Sequence, residues 1–390
     1  MSAANGKRAT PRAEPVGSLI RPAEITSRLD AIYEGHTVAS PQFVLPGKAR
    51  ELGDLNRLAD AQVAENVRRQ AEAGLDVVTD GEVRRSTFLS SFYDAVDGFS
   101  EPEERFAQRD EVGNVIYEGY ADPAINERLR KAASPAIGEV AAMRAIQPPV
   151  PFKVTFPAPS YFYSDIMPLD PETSYYSDRE GFVHDAVEIE RRLVAEAIAA
   201  GARWIQFDFP LYPGLADERY AASLTEQLGY SFDDLLTKAL EVDRQVTLDI
   251  PDDVMVGMHI CRGNFEGGFW SGSLEPVAER LFNELPHRRF LIEWEDTDRE
   301  GDYSPLRFVP EGKLVAVGLV STKTPQLESD DDIARRLEEA SEHIGMDQLG
   351  LCPQCGFASL MADRLVEGAD AQWRKLELVG RVADRVWGRE

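Results

Sequence analysis

The sequence predicts an α/β fold, a closed (β/α)8 TIM barrel with an insertion after its second strand. Amphipathic helical stretches alternate with short apolar segments along most of the chain, and many of these segments end in polar residues. Neither G-x-G-x-x-G after the first strand nor G-x-x-x-x-G-K-[ST] occurs, so dinucleotide and P-loop chemistry are not signalled. An open doubly wound sheet is the alternative.

The beginning of the chain is predicted to form the first two strands of the barrel and the helix between them. Residues 1–13 are predicted to be a flexible tail, and residues 14–390 a single barrel domain. The first strand is predicted at Val16 to Ile20, followed by a helix over about Leu58 to Ala73 that stops at Gly74 and by a strand at Asp76 to Thr79.

The alternation of helices and strands is interrupted over residues 97–149, which we interpret as the insertion. Within it, the pattern of Arg105 to Tyr120 predicts a hairpin that turns near Val112 to Asn114. The alternation then resumes with six further strands, separated by helices and followed by a closing helix over about Ala371 to Trp387. These strands are predicted at Phe152–Phe156, Trp204–Phe207, Val254–Ile260, Phe290–Ile292, Leu314–Val320 and Gln348–Leu351.

Charge and composition exclude several classes of function. The chain of 390 residues carries a formal charge of −26, which repels nucleic acids and anionic membrane surfaces. It contains no apolar run near the roughly 20 residues of a membrane helix, and its start lacks the apolar segment of a secretory signal. Three cysteines, an odd number, suit a reducing compartment, so we expect a cytoplasmic protein.

Scarce soft ligands lie at predicted strand ends. His259 and Cys261 are two residues apart on one strand and therefore share a face, and Cys355 follows the last strand. Imidazole and thiolate ligands suit zinc with an open fourth position for a substrate. Two alternatives stay open: these are ordinary core residues, or Cys352 completes a closed structural Cys3His site.

Several short motifs occur in the order seen in cobalamin-independent methionine synthase, and the chain resembles that enzyme's catalytic C-terminal barrel. It resembles the short, single-barrel bacterial members more closely, over about residues 15 to 375. The motifs are Gly17-Ser18, Asp80-Gly81-Glu82, Gln206-Phe207-Asp208, His259-Ile-Cys-Arg-Gly-Asn264, Leu306-Arg-Phe-Val-Pro310, Gly318-Leu-Val-Ser-Thr-Lys-Thr-Pro325 and Cys352-Pro-Gln-Cys355-Gly356.

The resemblance implies a zinc ion held by His259, Cys261, Cys355 and a glutamate at the end of the sixth strand. Glu293 directly follows the apolar Phe-Leu-Ile of that strand, so it is preferred to Glu295. Cys352 would then be a neighbour of the site and not a ligand.

The resemblance also implies the substrates. Glu82 and Asp208 match the acids that hold the amino group of homocysteine, and Gly17-Ser18 match the loop that receives its carboxylate. Zinc would make the thiol available as a thiolate, which would take a methyl group from 5-methyltetrahydrofolate or a related carrier. Where the long enzymes use a histidine to protonate the leaving group, the matching stretch carries Val320, so the proton source is unassigned.

The predicted function is therefore zinc-dependent methyl transfer to L-homocysteine, which gives methionine. One alternative is alkyl transfer to another thiol, such as epoxide opening by coenzyme M. Another is a non-catalytic barrel with the structural Cys3His site. Trp270, Phe269 and Trp294 are candidates to flank a pterin ring, although aromatic residues near strand ends usually serve packing.

Overall fold

Six parallel strands form the main sheet of this computed structural model. The structure describes residues 8, 10–32, 55–99, 105–109, 115–120, 125–164, 169, 174–264, 270–359 and 369–389. The strands pair in chain order. Apart from Met255, every residue in them is buried, as parallel strands covered by helices require. They are Val154–Pro157, Trp204–Asp208, Met255–Ile260, Arg289–Glu293, Leu314–Val320 and Leu349–Pro353.

Two short bridges close this sheet into a barrel. Ala13 pairs in parallel with Leu351 of the last strand, and Val78 pairs in parallel with Phe152 beside the strand Val154–Pro157. The amide of Asp76 donates to the carbonyl of Ala13 at 2.7 Å, which joins the two added segments to each other. The predicted (β/α)8 barrel is confirmed, with Ala13 and Val78 in its first and second strands.

The first strand lies earlier than the sequence predicted. It is centred on Ala13, and the predicted segment Val16 to Ile20 follows it as loop. The reason is Glu14, which is fully buried and forms ion pairs with Lys153 of the third strand segment and Arg289 of the sixth strand. A charged residue at a strand position hides the strand from an apolar pattern.

The predicted loose tail over residues 1–13 is also wrong for its described end. Arg8 is buried and forms ion pairs with Asp76, at 2.6 Å, and with Asp384 of the closing helix. Arg12 is buried as well and donates to the carbonyl of Leu349 at 2.6 Å. These contacts tie the start of the described chain to the second strand, the eighth strand and the closing helix.

Helices cover the outside of the sheet, and local signals set their ends. Asp178 caps the helix Arg179–Ala200 by accepting from the amide of Gly181, and that helix ends at Gly201, whose φ of 119° suits glycine. The helices are Ala23–Ile32, Leu55–Glu72, Ser90–Tyr93, Pro135–Ile146, Arg179–Ala200, Tyr212–Ala216, Glu218–Leu228, Phe232–Gln245, Glu275–Glu284, Thr297–Glu300, Asp330–Ser341 and Ala369–Trp387.

The stretch predicted as an insertion contains two nested antiparallel pairs. Val96–Phe99 pairs with Ile125–Lys131, and Arg105–Arg109 pairs with Val115–Tyr120, which confirms the predicted hairpin. Its predicted turn, residues 112–114, lies outside the described residues. The helix Pro135–Ile146 packs between its neighbours in the helical layer, Leu55–Glu72 and Arg179–Ala200. Among the described residues, no helix is long and apolar enough to cross a membrane.

Candidate metal and substrate site

Three candidate metal ligands meet at the carboxyl ends of the fifth and eighth strands. His259 lies within the strand Met255–Ile260, Cys261 directly follows it, and Cys355 follows Leu349–Pro353. One ligand atom from each residue lies within 4.8 Å of the other two, and all three residues are buried. The strands therefore bring together residues that are far apart in the chain.

This group fits a zinc ion. The Sγ atoms of Cys261 and Cys355 are 3.6 Å apart. Two thiolates that bind one tetrahedral zinc at Zn–S distances near 2.3 Å lie about 3.8 Å apart. One imidazole and two thiols form a soft donor set of the kind that zinc prefers, and three protein ligands leave one position open.

Two polar contacts orient His259. Its Nε2 atom lies 3.1 Å from the carbonyl oxygen of Gln354, and its Nδ1 atom lies 3.6 Å from Oδ1 of Asp208. Burial by itself would lower the pKa of His259, but the contact with Asp208 and the charge of Cys355 raise it to about 9. A metal ion binds neutral imidazole, so it would have to displace this proton.

The two thiols of this group contact each other. Either sulfur can donate in this hydrogen bond, and the contact lowers the pKa of Cys355. The same contact raises the pKa of Cys261, and burial adds to that effect. Cys355 is therefore the more readily ionised thiol of the pair.

Glu293 ends the sixth strand and is fully buried beside this group, but its oxygens are outside the set that lies within 4.8 Å. Its Oε2 atom accepts from the main-chain amide of Arg262 at 2.5 Å. Its Oε1 atom accepts from Lys323 Nζ and from Arg299 Nη2, each at 2.8 Å. Glu295 also contacts Lys323, and it lies 3.7 Å from Arg299.

Cys352 is not part of the metal group among the described residues. It is buried in a small apolar cluster with Val16, Leu291 and Ala316, and its thiol lies 3.5 Å from the carbonyl oxygen of Ala316. Burial raises the pKa of Cys352 above its ordinary value. This environment suits a packing role and does not favour the closed Cys3His alternative.

Glu82 is a buried carboxylate with one oxygen available. Its Oε1 atom accepts from the Thr155 hydroxyl at 2.8 Å, whereas Oε2 has no hydrogen-bond partner among the described residues. Burial raises its pKa to about 7; Arg85 opposes this shift and the charge of Asp208 adds to it. A buried carboxylate oxygen without a partner is unfavourable, so this position suits a cationic group from a substrate.

Asp208 and the segment Gly17-Ser18 adjoin Glu82. Asp208 ends the fourth strand, and Gln206 Nε2 donates to its Oδ1 atom at 2.7 Å. At Gly17, an added Cβ would lie 2.5 Å from Glu82 Oε1, so a larger residue there would displace that buried carboxylate. Ser18 is buried, and its hydroxyl accepts from the amide of Ala358 at 3.3 Å, three residues beyond Cys355.

Comparison with known proteins gives the family. The sequence model of one protein family, described as the catalytic domain of cobalamin-independent synthase, matches residues 172–368, which is more than half of the chain. This chain belongs to the cobalamin-independent methionine synthase family. The predicted resemblance is confirmed, and the family supports methyl transfer to homocysteine as the type of reaction.

Relatives with high coverage extend the match beyond that domain. The uncharacterized protein YxjH of Bacillus subtilis is 30% identical over 383 residues, which are 96% of this chain and 94% of YxjH. A methionine synthase of Pyrococcus abyssi is 23% identical over 329 residues, 80% of this chain and 81% of that protein. The crystal structure of a putative vitamin-B12 independent methionine synthase from Listeria monocytogenes has a TM-score of 0.69 and 24% identity, and covers 98% of this chain and 100% of that one.

The aromatic residues near this family site serve packing. Trp270 stacks on Phe209 with ring centroids 5.1 Å apart, and Trp294 is fully buried with its indole nitrogen bonded to the carbonyl of Gly301. Phe269 lies outside the described residues. Val320 is buried at the end of the seventh strand, so its side chain adds no proton donor.

The cations around Glu293 are functional candidates that sequence reasoning misses. Lys323 is a single residue within the motif Gly318 to Pro325, and Arg299 belongs to no motif. Both side chains nevertheless contact Glu293. The position of Lys323 in the sequence is the signal that could have identified it. It comes three residues after a fully buried strand and therefore lies at the catalytic end of a barrel.

Proposed function

We propose that this protein transfers a methyl group to the thiol of L-homocysteine and so produces methionine, with zinc as its cofactor. The observation that carries the proposal is the buried group of His259, Cys261 and Cys355, which adjoins the acids Glu82 and Asp208 at one end of the barrel. A soft-ligand group and an ammonium-binding pair are what a substrate with both a thiol and an α-amino group requires.

In this proposal His259, Cys261 and Cys355 hold the zinc ion, and Glu293 is the fourth protein ligand. Zinc, when bound, lowers the pKa of a coordinated thiol so that it is a thiolate at neutral pH. The three thiols of the chain are free, and we propose that the protein works in the reducing cytoplasm.

The amino-acid part of homocysteine sets the direction of its sulfur. Glu82 Oε2 and the Asp208 carboxylate receive the ammonium group, and Ser18 with the neighbouring Gly17 receives the carboxylate. All four residues are held by contacts to other barrel strands or loops, so they position the substrate at little entropic cost.

The methyl transfer is a displacement at carbon. A sulfur lone pair of homocysteine forms the new S–CH3 bond, and the bond from the methyl group to N5 of 5-methyltetrahydrofolate, or of a related methyl carrier, breaks. The electron pair stays on that nitrogen, which then takes a proton. The products are methionine and the demethylated carrier.

The test combines zinc analysis with a transfer assay. We expect about one zinc per chain and methionine formation from L-homocysteine with 5-methyltetrahydrofolate or a methylated carrier. Zinc X-ray absorption should detect two sulfur ligands in the free protein and three after homocysteine is added. A shell of three sulfurs that does not change when homocysteine is added would contradict a ligand position open to the substrate. Methyl transfer to coenzyme M in place of homocysteine would contradict homocysteine as the methyl acceptor.

Variants separate the residues of this proposal. Cys261→Ser and Cys355→Ser should lose zinc and activity, whereas Cys352→Ser should keep both, because Cys352 packs in an apolar cluster. Asp208→Asn should keep zinc and weaken homocysteine binding about tenfold or more. Unchanged homocysteine affinity in the Asp208 variant would remove this residue from the site.

A further inference from the structure

Arg85 is a buried cation beside the proposed amino-group position, and the function proposed above gives it no role. We propose that Arg85, held in place by Glu139, is a positioning residue that fixes Glu82 with one carboxylate oxygen left for the ammonium group of the substrate. The pair thereby sets the preference of the site for a thiol that carries an α-amino group. This inference rests on the proposed binding of homocysteine and adds the residues that determine it.

Glu139 fixes the guanidinium group of Arg85. The two side chains form a bidentate pair, in which Nε donates to Oε1 at 2.7 Å and Nη2 donates to Oε2 at 2.6 Å. Both residues are 3% exposed, so water competes little for these hydrogen bonds. Glu139 belongs to the helix Pro135–Ile146, near the end of the stretch predicted as an insertion. This helix therefore supplies the residue that orients Arg85.

Thr155 of the third strand connects Arg85 to Glu82. Arg85 Nη1 donates to the Thr155 hydroxyl at 2.8 Å, and Nη2 donates to the main-chain carbonyl of Thr155 at 3.1 Å. Because an arginine side chain can only donate, the hydroxyl accepts from Arg85 and directs its own proton to Glu82 Oε1, 2.8 Å away. This chain of hydrogen bonds holds Oε1. Oε2 has no partner within the part of the chain that the structure describes, which leaves it to the substrate.

The pair with Glu139 also keeps Arg85 from binding Glu82 directly. Arg85 Nη1 lies 3.8 Å from Glu82 Oε1, which is beyond hydrogen-bond distance. Burial raises the pKa of Glu82, and the neighbouring acids Asp208 and Asp80 add to this effect. The charge of Arg85 opposes them and favours the ionised carboxylate. Arg85 is therefore close enough to keep Glu82 charged and too far away to occupy its binding oxygen.

Little room is left for water around these groups. A cavity of about 10 Å³ lies between them, and its charged walls are Asp80, Glu82, Arg85, Glu139 and Lys153. Lys153 is itself paired with Glu14 at 2.8 Å. A cavity of this volume holds about one water molecule. Solvent therefore does not compensate the loss of a charge from Arg85 or Glu139, and the change acts on Glu82.

The test is titration calorimetry of the zinc-loaded protein with L-methionine and with 4-(methylthio)butanoate. The second ligand has the thioether and the carboxylate of methionine but lacks the amino group. At pH 7 we expect Glu139→Gln to bind L-methionine about tenfold more weakly than the wild type, because Arg85 then turns to Glu82 and competes with the ammonium group. The affinity for 4-(methylthio)butanoate should change little, since this ligand offers Glu82 no ammonium group.

A double variant, Arg85→Met with Glu139→Met, tests the same chain from its other end. It leaves neither partner as an unpaired buried charge, which favours folding. Without the cation, Glu82 holds its proton at pH 7, so we expect L-methionine to bind about tenfold more weakly. Affinity for 4-(methylthio)butanoate should again change little, and zinc content should equal that of the wild type.

The pH dependence of L-methionine binding should move in opposite directions in the two variants. Glu139→Gln leaves the charge of Arg85 unneutralised and lowers the pKa of Glu82, so affinity should fall at a lower pH than in the wild type. The double variant removes the cation, so affinity should fall at a higher pH. We expect shifts of at least about 0.5 pH unit. Loss of packing alone weakens binding at every pH and does not produce opposite shifts.

Arg144→Met is the matched control. Arg144 lies on the same helix as Glu139, is exposed, and donates to the carbonyl of Ala200 at 2.8 Å. The variant should keep both affinities and the pH profile of the wild type. In folded variants of Arg85 and Glu139, unchanged L-methionine affinity, equal weakening for both ligands, or pH shifts of the same sign would overturn the positioning role.

The failure of the proposed function gives a different result. A wild-type protein that binds the two ligands equally, or a Glu82→Gln variant with unchanged L-methionine affinity, would overturn the amino-group position itself and this inference with it. If the wild type prefers L-methionine and Glu82→Gln loses that preference, the amino-group position holds, and the variants of Arg85 and Glu139 then decide the inference alone.

Discussion

Glu82 combines burial with an unsatisfied oxygen. The residue is 3% exposed, it adopts a φ of 54°, and Oε2 has no partner among the described residues. Backbone in the left-handed region is unfavourable for a glutamate, and strain of this kind clusters at functional sites. The strand-end position and the strain together favour a binding role over a helix-capping role.

The ionisation of Glu82 predicts how ligand binding depends on pH. Burial, more than the nearby charge of Asp208, raises its pKa to about 7, against the opposing effect of Arg85. An ammonium group binds the carboxylate form, so we expect L-methionine affinity to fall by up to about tenfold per pH unit below pH 7. Titration calorimetry between pH 5.5 and 8 measures this, because the thioether does not titrate.

Glu82→Gln supplies the control for this prediction. The amide has no charge at any of these pH values, so the variant should bind L-methionine at least about tenfold more weakly at pH 8. It should also lose most of the pH dependence. Parallel pH profiles for the variant and the wild type would assign the dependence to another group.

The sequence alone indicates the candidate metal ligands but not the cations around Glu293. His259, Cys261 and Cys355 belong to rare residue types, so their positions at predicted strand ends are noticeable in the amino-acid pattern alone. Lys323 and Arg299 belong to common types. Their importance arises from contacts across neighbouring loops, which depend on how the barrel closes and not on local spacing.

At the scale of elements, apolar patterns predict the strands and helices except where charge is buried. The strand Leu314–Val320 has the predicted bounds because all of its residues are apolar or glycine. The predicted first strand is misplaced because Glu14 interrupts the pattern, and its compensating cations are far away in the sequence. A buried ion pair cannot be recognised from one partner alone.

The helix Arg179–Ala200 carries a buried acid that predicts an unusual stability profile. Glu190 is fully buried, and neither of its carboxylate oxygens has a hydrogen-bond partner among the described residues. Burial, with a smaller effect from Asp243, raises the pKa of Glu190 well above its ordinary value. The native state therefore keeps Glu190 protonated at pH values where the unfolded chain releases that proton.

Replacement of Glu190 tests this linkage. Stability from a raised carboxyl pKa is complete below the unfolded value near 4.5 and is lost as pH rises toward the folded value. We expect Glu190→Gln to be about 1 to 3 kcal/mol more stable than the wild type at pH 8, and the difference to shrink toward pH 4. Urea unfolding measures it. Glu188→Gln, on the same helix but 41% exposed, should change stability little at either pH.

At the scale of the whole molecule, ionic contacts inside the barrel join strands from three parts of the chain. Glu14 of the first strand segment contacts Lys153 Nζ at 2.8 Å and the guanidinium of Arg289, and all three side chains are at most 2% exposed. One buried carboxylate is therefore paired with two buried cations. Arg289 and Lys153 both lower the pKa of Glu14 against the effect of its burial, so it stays ionised.

This asymmetry predicts which substitution the barrel tolerates least. Glu14→Gln leaves two buried cations without a carboxylate, and we expect it to destabilise the fold by about 3 to 5 kcal/mol. Lys153→Met leaves the Glu14–Arg289 pair intact, so its effect should be smaller. Glu65→Gln, which breaks an exposed pair with Arg68, should change the free energy of unfolding by less than about 1 kcal/mol. Urea unfolding at pH 7 ranks the three variants, and equal losses for the two barrel variants would mean that the cations find other partners.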